Sequence, residues 1–203
     1  MLWNFLVMLY RRGKMMDKYN DLIVKGRKAY LEAMETIGWL KYSGPSKTET
    51  EKRLSEITEP EYFVYALCDL SFDPEGFEDK EAYESLLNEI LYIVQLRDTS
   101  LSVSQNDTDG IISIEIKTGK NTYPYSVLLE DFDDWVDGDI IDKYFNEEIL
   151  PGEDEERRLL PLSPSDQKAC FVFMPEKLYE KAIEMGIIPG EGDYFMKEIE
   201  TKE

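Results

Sequence analysis

Carboxylates crowd the stretch from Glu130 to Glu148, where nine acidic residues stand against a single lysine. Two spacings within it would suit metal chemistry. Asp131-Phe132-Asp133 follows the apolar run Val127-Leu128-Leu129, and two hard carboxylates at a strand end would hold magnesium or manganese on a phosphoester or a nucleotide sugar. That pattern is short, and neither GxGxxG nor GxxxxGK[ST] accompanies it. Asp133 to Tyr144 also follows a calcium-loop pattern, with Gly138 at the turn and Asp133, Asp137 and Asp139 on ligand positions. Trp135 replaces the third-position oxygen ligand and Tyr144 replaces the bidentate glutamate, so the EF-hand reading fails. A carboxylate pair for glycoside hydrolysis depends on separation in space, which a sequence does not carry.

Histidine is absent from the chain. That removes Ser-His-Asp and Cys-His catalysis, histidine-ligated zinc, the facial iron triad and histidine pH switches. The two cysteines, Cys68 and Cys170, sit among apolar neighbours and read as buried thiols of a reducing compartment, with a disulfide between them as the lesser alternative. Two thiols do not make the usual zinc site. The sequence therefore calls for no catalytic residue, cofactor or metal.

Charge is the strongest signal. The chain carries 43 acidic and 23 basic residues, a net of −20. Residues 1–28 hold seven Lys/Arg and two Asp, so the remaining residues carry −25. Such a field repels nucleic acid and anionic membrane and attracts basic partners. The plain explanation is solubility. The sharper one is an acidic, non-enzymatic, cytoplasmic binding protein of inhibitor, immunity or phage-blocker type. Its partner would be a basic protein, for example a nuclease or a nucleic-acid-binding protein, met through Asp131, Asp133, Asp134, Trp135, Asp137, Asp139, Asp142, Glu147 and Glu148. The alternative is a carboxylate-dependent divalent-metal enzyme centred on Asp131 and Asp133. A third reading, an assembly component, rests on the aromatic-rich segment 60–70 and the apolar start. Oligomeric state and direct partner identity stay open.

The elements that must position these residues follow from periodicity. Ile112, Ile114 and Ile116 alternate along one strand, Thr118-Gly119-Lys120-Asn121 turns the chain, and Tyr123 to Leu129 forms a second strand. Leu101 to Ser104 alternates before the connection ending in Asp109-Gly110, so three antiparallel strands are predicted. Phe132, Val136, Ile140 and Tyr144 are spaced by four, which predicts one helix from Glu130 to Phe145 with an apolar stripe inward and aspartates outward.

Upstream, Asp17 to Leu40 reads as a single helix, with Lys25, Arg27 and Lys28 on a solvated face. Ser46-Lys47-Thr48-Glu49 has capping-box spacing, and after Pro60 the chain reads as a largely buried helix from Tyr62 to Leu70 whose Phe63, Val64, Leu67 and Leu70 face a core. Asp79 or Glu78 caps a helix through Leu91. Downstream, Arg157 to Leu162 suits an edge strand, Ala169 to Met174 a central strand, and Pro175 opens a last helix stopped by Gly186.

The fold expected is α+β, an antiparallel sheet of about four to five strands on which a mainly helical N-terminal half packs. Residues 17–190 would form one domain, with an acidic tail over 191–203. Met1–Tyr10 is too short an apolar run to span a bilayer. Residues 1–16 are expected to be loosely attached, or to precede a natural start at Met15-Met16.

Overall fold

The computed structural model describes residues 18–42, 44–106, 108–162 and 168–190. The expectations for residues 1–16 and for the tail over 191–203 lie outside them. In order come α1 (Lys18–Ile23), α2 (Arg27–Ile37), α3 (Lys47–Glu56), a 3-10 helix (Pro60–Leu67), β1 (Leu70–Phe72), α4 (Lys80–Val94) and β2 (Ser100–Asn106). They are followed by β3 (Ile111–Lys117), β4 (Thr122–Leu128), the π-helical α5 (Ile140–Ile149), β5 (Arg157–Pro161), β6 (Ala169–Pro175) and α6 (Glu176–Glu184). Helix and sheet are mixed, as expected. The strands, however, form two three-stranded sheets of order β1-β6-β5 and β2-β3-β4 rather than one sheet of four to five. The contacts also divide the chain into two compact units, residues 1–68 with 174–203 and residues 69–173.

The first unit is helical and built from both ends of the chain. The single helix read over Asp17 to Leu40 is broken. Gly26 sits at φ 84°, ending the turn after α1 and starting α2, a conformation that glycine adopts without penalty. Gly38, at φ 81°, closes α2 as a left-handed cap. Ser46 accepts from the Glu49 N–H at the start of α3, as its spacing predicts. Arg27 does more than face water. Its Nε and Nη2 donate to the Leu54 and Ile57 carbonyls at 2.8 and 2.6 Å, satisfying the open end of α3. The early helices are joined to the α6 region by hydrogen bonds: Tyr30 Oη donates to the Ile187 carbonyl at 2.6 Å and Lys18 Nζ to the Glu184 carbonyl at 2.7 Å. Gly186, at φ 73°, lies so close to the Lys18–Tyr19 backbone that a β-carbon would collide with it.

The second unit holds the carboxylate-rich stretch. Its meander is in the register that alternation predicts: Ile112, Ile114 and Ile116 are buried, with Ile114 opposite Val103 and Tyr125. Asp79 caps α4 by accepting from the Ala82 N–H. Buried Tyr83, Leu87 and Ile90 of α4 belong to one core with those isoleucines and with Ile140, Tyr144, Phe145 and Ile149 of α5. β6 runs centrally between β1 and β5, and β1 pairs with it from Leu70↔Phe171 to Phe72↔Ala169.

Candidate functional site: the acidic segment 130–148

The helix expected from Glu130 to Phe145 does not begin until Ile140. After a short 3-10 turn at Leu129–Asp131, Asp133 enters the left-handed region at φ 56°, which aspartate tolerates better than most residues. The next residues form an extended bridge instead. Phe77 N–H donates to the Asp134 carbonyl at 2.8 Å, Val136 N–H donates to the Pro74 carbonyl at 2.8 Å, and Glu75 pairs with Trp135. The fourfold spacing of Phe132, Val136, Ile140 and Tyr144 therefore has two origins. Ile140 and Tyr144 are buried helix positions, whereas Phe132 and Val136 are half-buried residues of the turn that pack on the same core.

Asp137 is the main correction to the expected surface. Its side chain is only 4% exposed. One oxygen accepts from the Tyr125 hydroxyl at 2.7 Å and the other from the Asp139 N–H at 3.0 Å. It fixes the start of α5 and is not available to a partner. Burial, and then this hydrogen bond to a carboxylate, hold the Tyr125 phenol well above its ordinary pKa. Tyr125 stacks on Tyr144 at 4.7 Å between ring centroids, and the Tyr144 hydroxyl donates to the Tyr123 carbonyl at 2.6 Å.

Beyond that anchor, the carboxylates turn outward. Asp131, Asp133, Asp142, Glu147 and Glu148 are exposed, and Asp134 is half-buried. Asp139 binds Lys143 at 2.6 Å one turn on, a bond that raises the Lys143 pKa. Trp135, expected beside these carboxylates, is half exposed at 50%. Among the described residues, no side-chain hydrogen bond or ion pair engages Asp131, Asp133, Asp142, Glu147 or Glu148. No group of three or more His, Cys, Asp or Glu among those residues could hold a metal ion, and Asp131 and Asp133 form no such cluster.

A second charged place was not legible as a site. The end of α4, the β3–β4 turn and the loop before β5 enclose a cleft of about 520 Å³. Gln95, Asp98 and Asp154, three of the four non-glycine residues with positive φ among the described residues, line it. Its charges are mostly paired with one another. Arg157 makes a two-pronged contact with Glu155 at 2.9 and 2.8 Å and lies over the Phe173 ring, while Lys120 binds Asp154 at 2.7 Å. Glu153 Oε1 accepts from Thr118, Tyr123 and Asn121 at 2.7, 2.8 and 3.0 Å. Burial works to raise the Glu153 pKa, but these donors and the Lys120 charge prevail and lower it. Burial, then the bond to Glu153, raises the Tyr123 phenol to about 12. The sequence reads both segments as connections, and the available hint was a run of four acids, Glu153 to Glu156, followed at once by Arg157 and Arg158.

Cys170 is buried and Cys68 half-buried. Among the described residues, no helix is long and apolar enough to cross a membrane. The chain matches no protein-family model, no curated protein and no solved structure.

Proposed function

We propose that this chain is a non-enzymatic binding protein of inhibitor or immunity type whose acidic segment 130–148 engages a basic protein. The observation that carries this reading is the state of the carboxylates. Asp131, Asp133, Asp142, Glu147 and Glu148 are exposed and engaged by no side chain among the described residues, beside a half-exposed Trp135. They are mounted on a frame fixed from within by Asp137 and by the buried side of α5. A surface of this kind steers a basic partner and fits a groove built for phosphates. The aromatic supplies the sort of contact that dominates interface energetics. The partner is a nuclease or another nucleic-acid-binding protein rather than nucleic acid itself, which the charge repels. The setting is the cytoplasm, where two thiols stay reduced.

The test compares the wild-type chain with a variant carrying Asn or Gln at those five positions. Each is used to capture partners from native lysate at low and high salt. The reading expects a basic protein held by the wild type at low salt, released by salt and lost in the variant, with both chains melting alike. Capture that is insensitive to salt and unchanged in the variant overturns it.

A further inference from the structure

Each of the two sheets has two edges, and an open edge is a template for another strand unless something blunts it. Three of the four are blunted. β1 has only three residues. β5 carries Arg157, Arg158 and Pro161, and the Asn146 amide closes it by donating to the Leu159 carbonyl and accepting from the Leu159 N–H, both at 2.8 Å. β4 carries Pro124, which has no N–H to offer. Among the described residues β2 has none of these devices on its outer backbone, its tie to α4 being the Lys80 N–H that donates to the Gln105 side chain at 3.0 Å. Its seven residues, Ser-Leu-Ser-Val-Ser-Gln-Asn, contain no charge and no proline, and pair without a bulge along the whole of β3. Among the described residues, the one backbone hydrogen bond to β2 from outside the sheet ladder is from Gly110 N–H to the Asn106 carbonyl, in the hairpin itself.

The side chains of β2 also behave as though the sheet ended one strand early. Ile114 and Ile116 of β3 are 2% and 0% exposed, yet their partners Val103 and Leu101, on the same face, are only half-buried. Leu101 and Val103 pack on the core yet stay half-buried at the edge.

We propose that the β2 edge pairs antiparallel with β2 of a second copy of this chain, joining two meanders into one six-stranded sheet. The strand is self-complementary about Ser102. In that register Leu101 of each copy lies opposite Val103 of the other. Ser102 faces Ser102, Ser100 faces Ser104, and Thr99 faces Gln105. Absence of charge is what selects a second copy as the occupant. Two chains of −20 each associate only where the contact sets no like charges opposite one another, and β2 is the open edge that meets this condition. The proposal is independent of the acidic segment, and salt separates the two. Screening weakens attraction to a basic partner but relieves repulsion between identical acidic copies.

Sedimentation of the full chain over a range of concentrations tests it. A dimer is expected that tightens as salt rises, with slowed amide exchange over 100–106. The decisive variants change Ser100, Ser102 and Ser104 together, either all to Asp or all to Lys. Each sets three like-charged pairs across the two-fold axis and is expected to weaken the dimer by up to roughly a hundredfold. Mixing the two variants sets opposite charges together and restores a dimer. All six changed positions per dimer are exposed serines. If either triple variant melts early, Ser102→Asp and Ser102→Lys make the same comparison with one pair and roughly fivefold effects. A wild-type monomer at every concentration and salt overturns the proposal. So does a dimer that survives in both variants, or variants that fail to re-pair when mixed.

Discussion

Two acidic stretches of the second unit use their carboxylates in opposite ways. Over 153–156 three of the four acids are engaged: Glu153 by three donors, Asp154 by Lys120 and Glu155 by Arg157. Over 130–148 one acid, Asp137, is turned inward and one, Asp139, holds a lysine, while five exposed ones are engaged by no side chain among the described residues. Both stretches follow the same meander and look alike in composition. The difference lies in what the neighbouring strands and turns offer. Thr118, Asn121 and Tyr123 present donors to Glu153, whereas no described donor reaches Asp131 or Asp142. An acid-rich segment is structural where hydroxyls and cations converge on it, and available to a partner where they do not.

The largest expected effect sharpens the comparison from the inside. Phe145 lies fully buried on the inner side of α5, and Phe145→Ala is expected to cost about 3–5 kcal/mol in denaturant unfolding. A loss under ~1 kcal/mol would mean the helix does not hold the acidic surface in place.

Next in size is the inward acid. Asp137→Ala orphans the Tyr125 hydroxyl and the Asp139 N–H and is expected to cost about 1–3 kcal/mol. Asp142→Ala, a few residues on, should stay within about 0.5 kcal/mol. Equal costs at the two positions would erase the distinction between anchor and surface. A comparable loss, about 1–3 kcal/mol, is expected of Gly152→Ala, because the added methyl meets the Tyr123 hydroxyl that binds Glu153.

Acid titration separates the stretches by a different route. The pKa of Glu153 is lowered in the folded state, so its stabilisation is complete above the ordinary carboxylate range. It is lost as pH falls through the lowered value. Thermal melts of Glu153→Gln should therefore lie below wild type at neutral pH and converge on it in acid. Parallel curves would remove Glu153 from the structural class.

The smallest effect concerns the available acids. Neutralising Asp131, Asp133, Asp142, Glu147 and Glu148 together should leave stability unchanged or raise it by a few tenths of a kcal/mol per relieved pair. Unfolding of that variant would show that these carboxylates are held by the fold after all.

How much of this was legible depends on whether the partner is near in sequence. The β2–β3–β4 register could be read because alternation at Ile112, Ile114 and Ile116 fixes a face and two short connections fix the pairing. The caps Ser46 and Asp79 act within three residues. In the other sheet the edge place of β5 and the central place of β6 could be read, but β1 could not, because Leu70 meets Phe171 across a hundred residues. The acidic segment misled for a physical reason. Fourfold apolar spacing also arises when a turn and a helix each send residues into one core, and Asp133 and the bridge at Trp135 break the path between them. Nothing in the sequence singles out Asp137 among its neighbours, since the choice is made by Tyr125 twelve residues away.

The bond between Lys18 and Glu184 and the tight approach of Gly186 to Lys18 set an order of events during synthesis. The unit over residues 69–173 is continuous and is complete in itself when its last strand leaves the ribosome. The helices over 18–67 emerge first and must wait for α6 to close their core. At ~5–20 residues per second, the span between them takes roughly 5–20 s to make. Throughout that interval Tyr30, whose hydroxyl partner is Ile187, has no carbonyl to meet. The helices over 18–67 are thus made early yet secured late, and a nascent chain stalled before residue 184 would present them to chaperones without their closing helix.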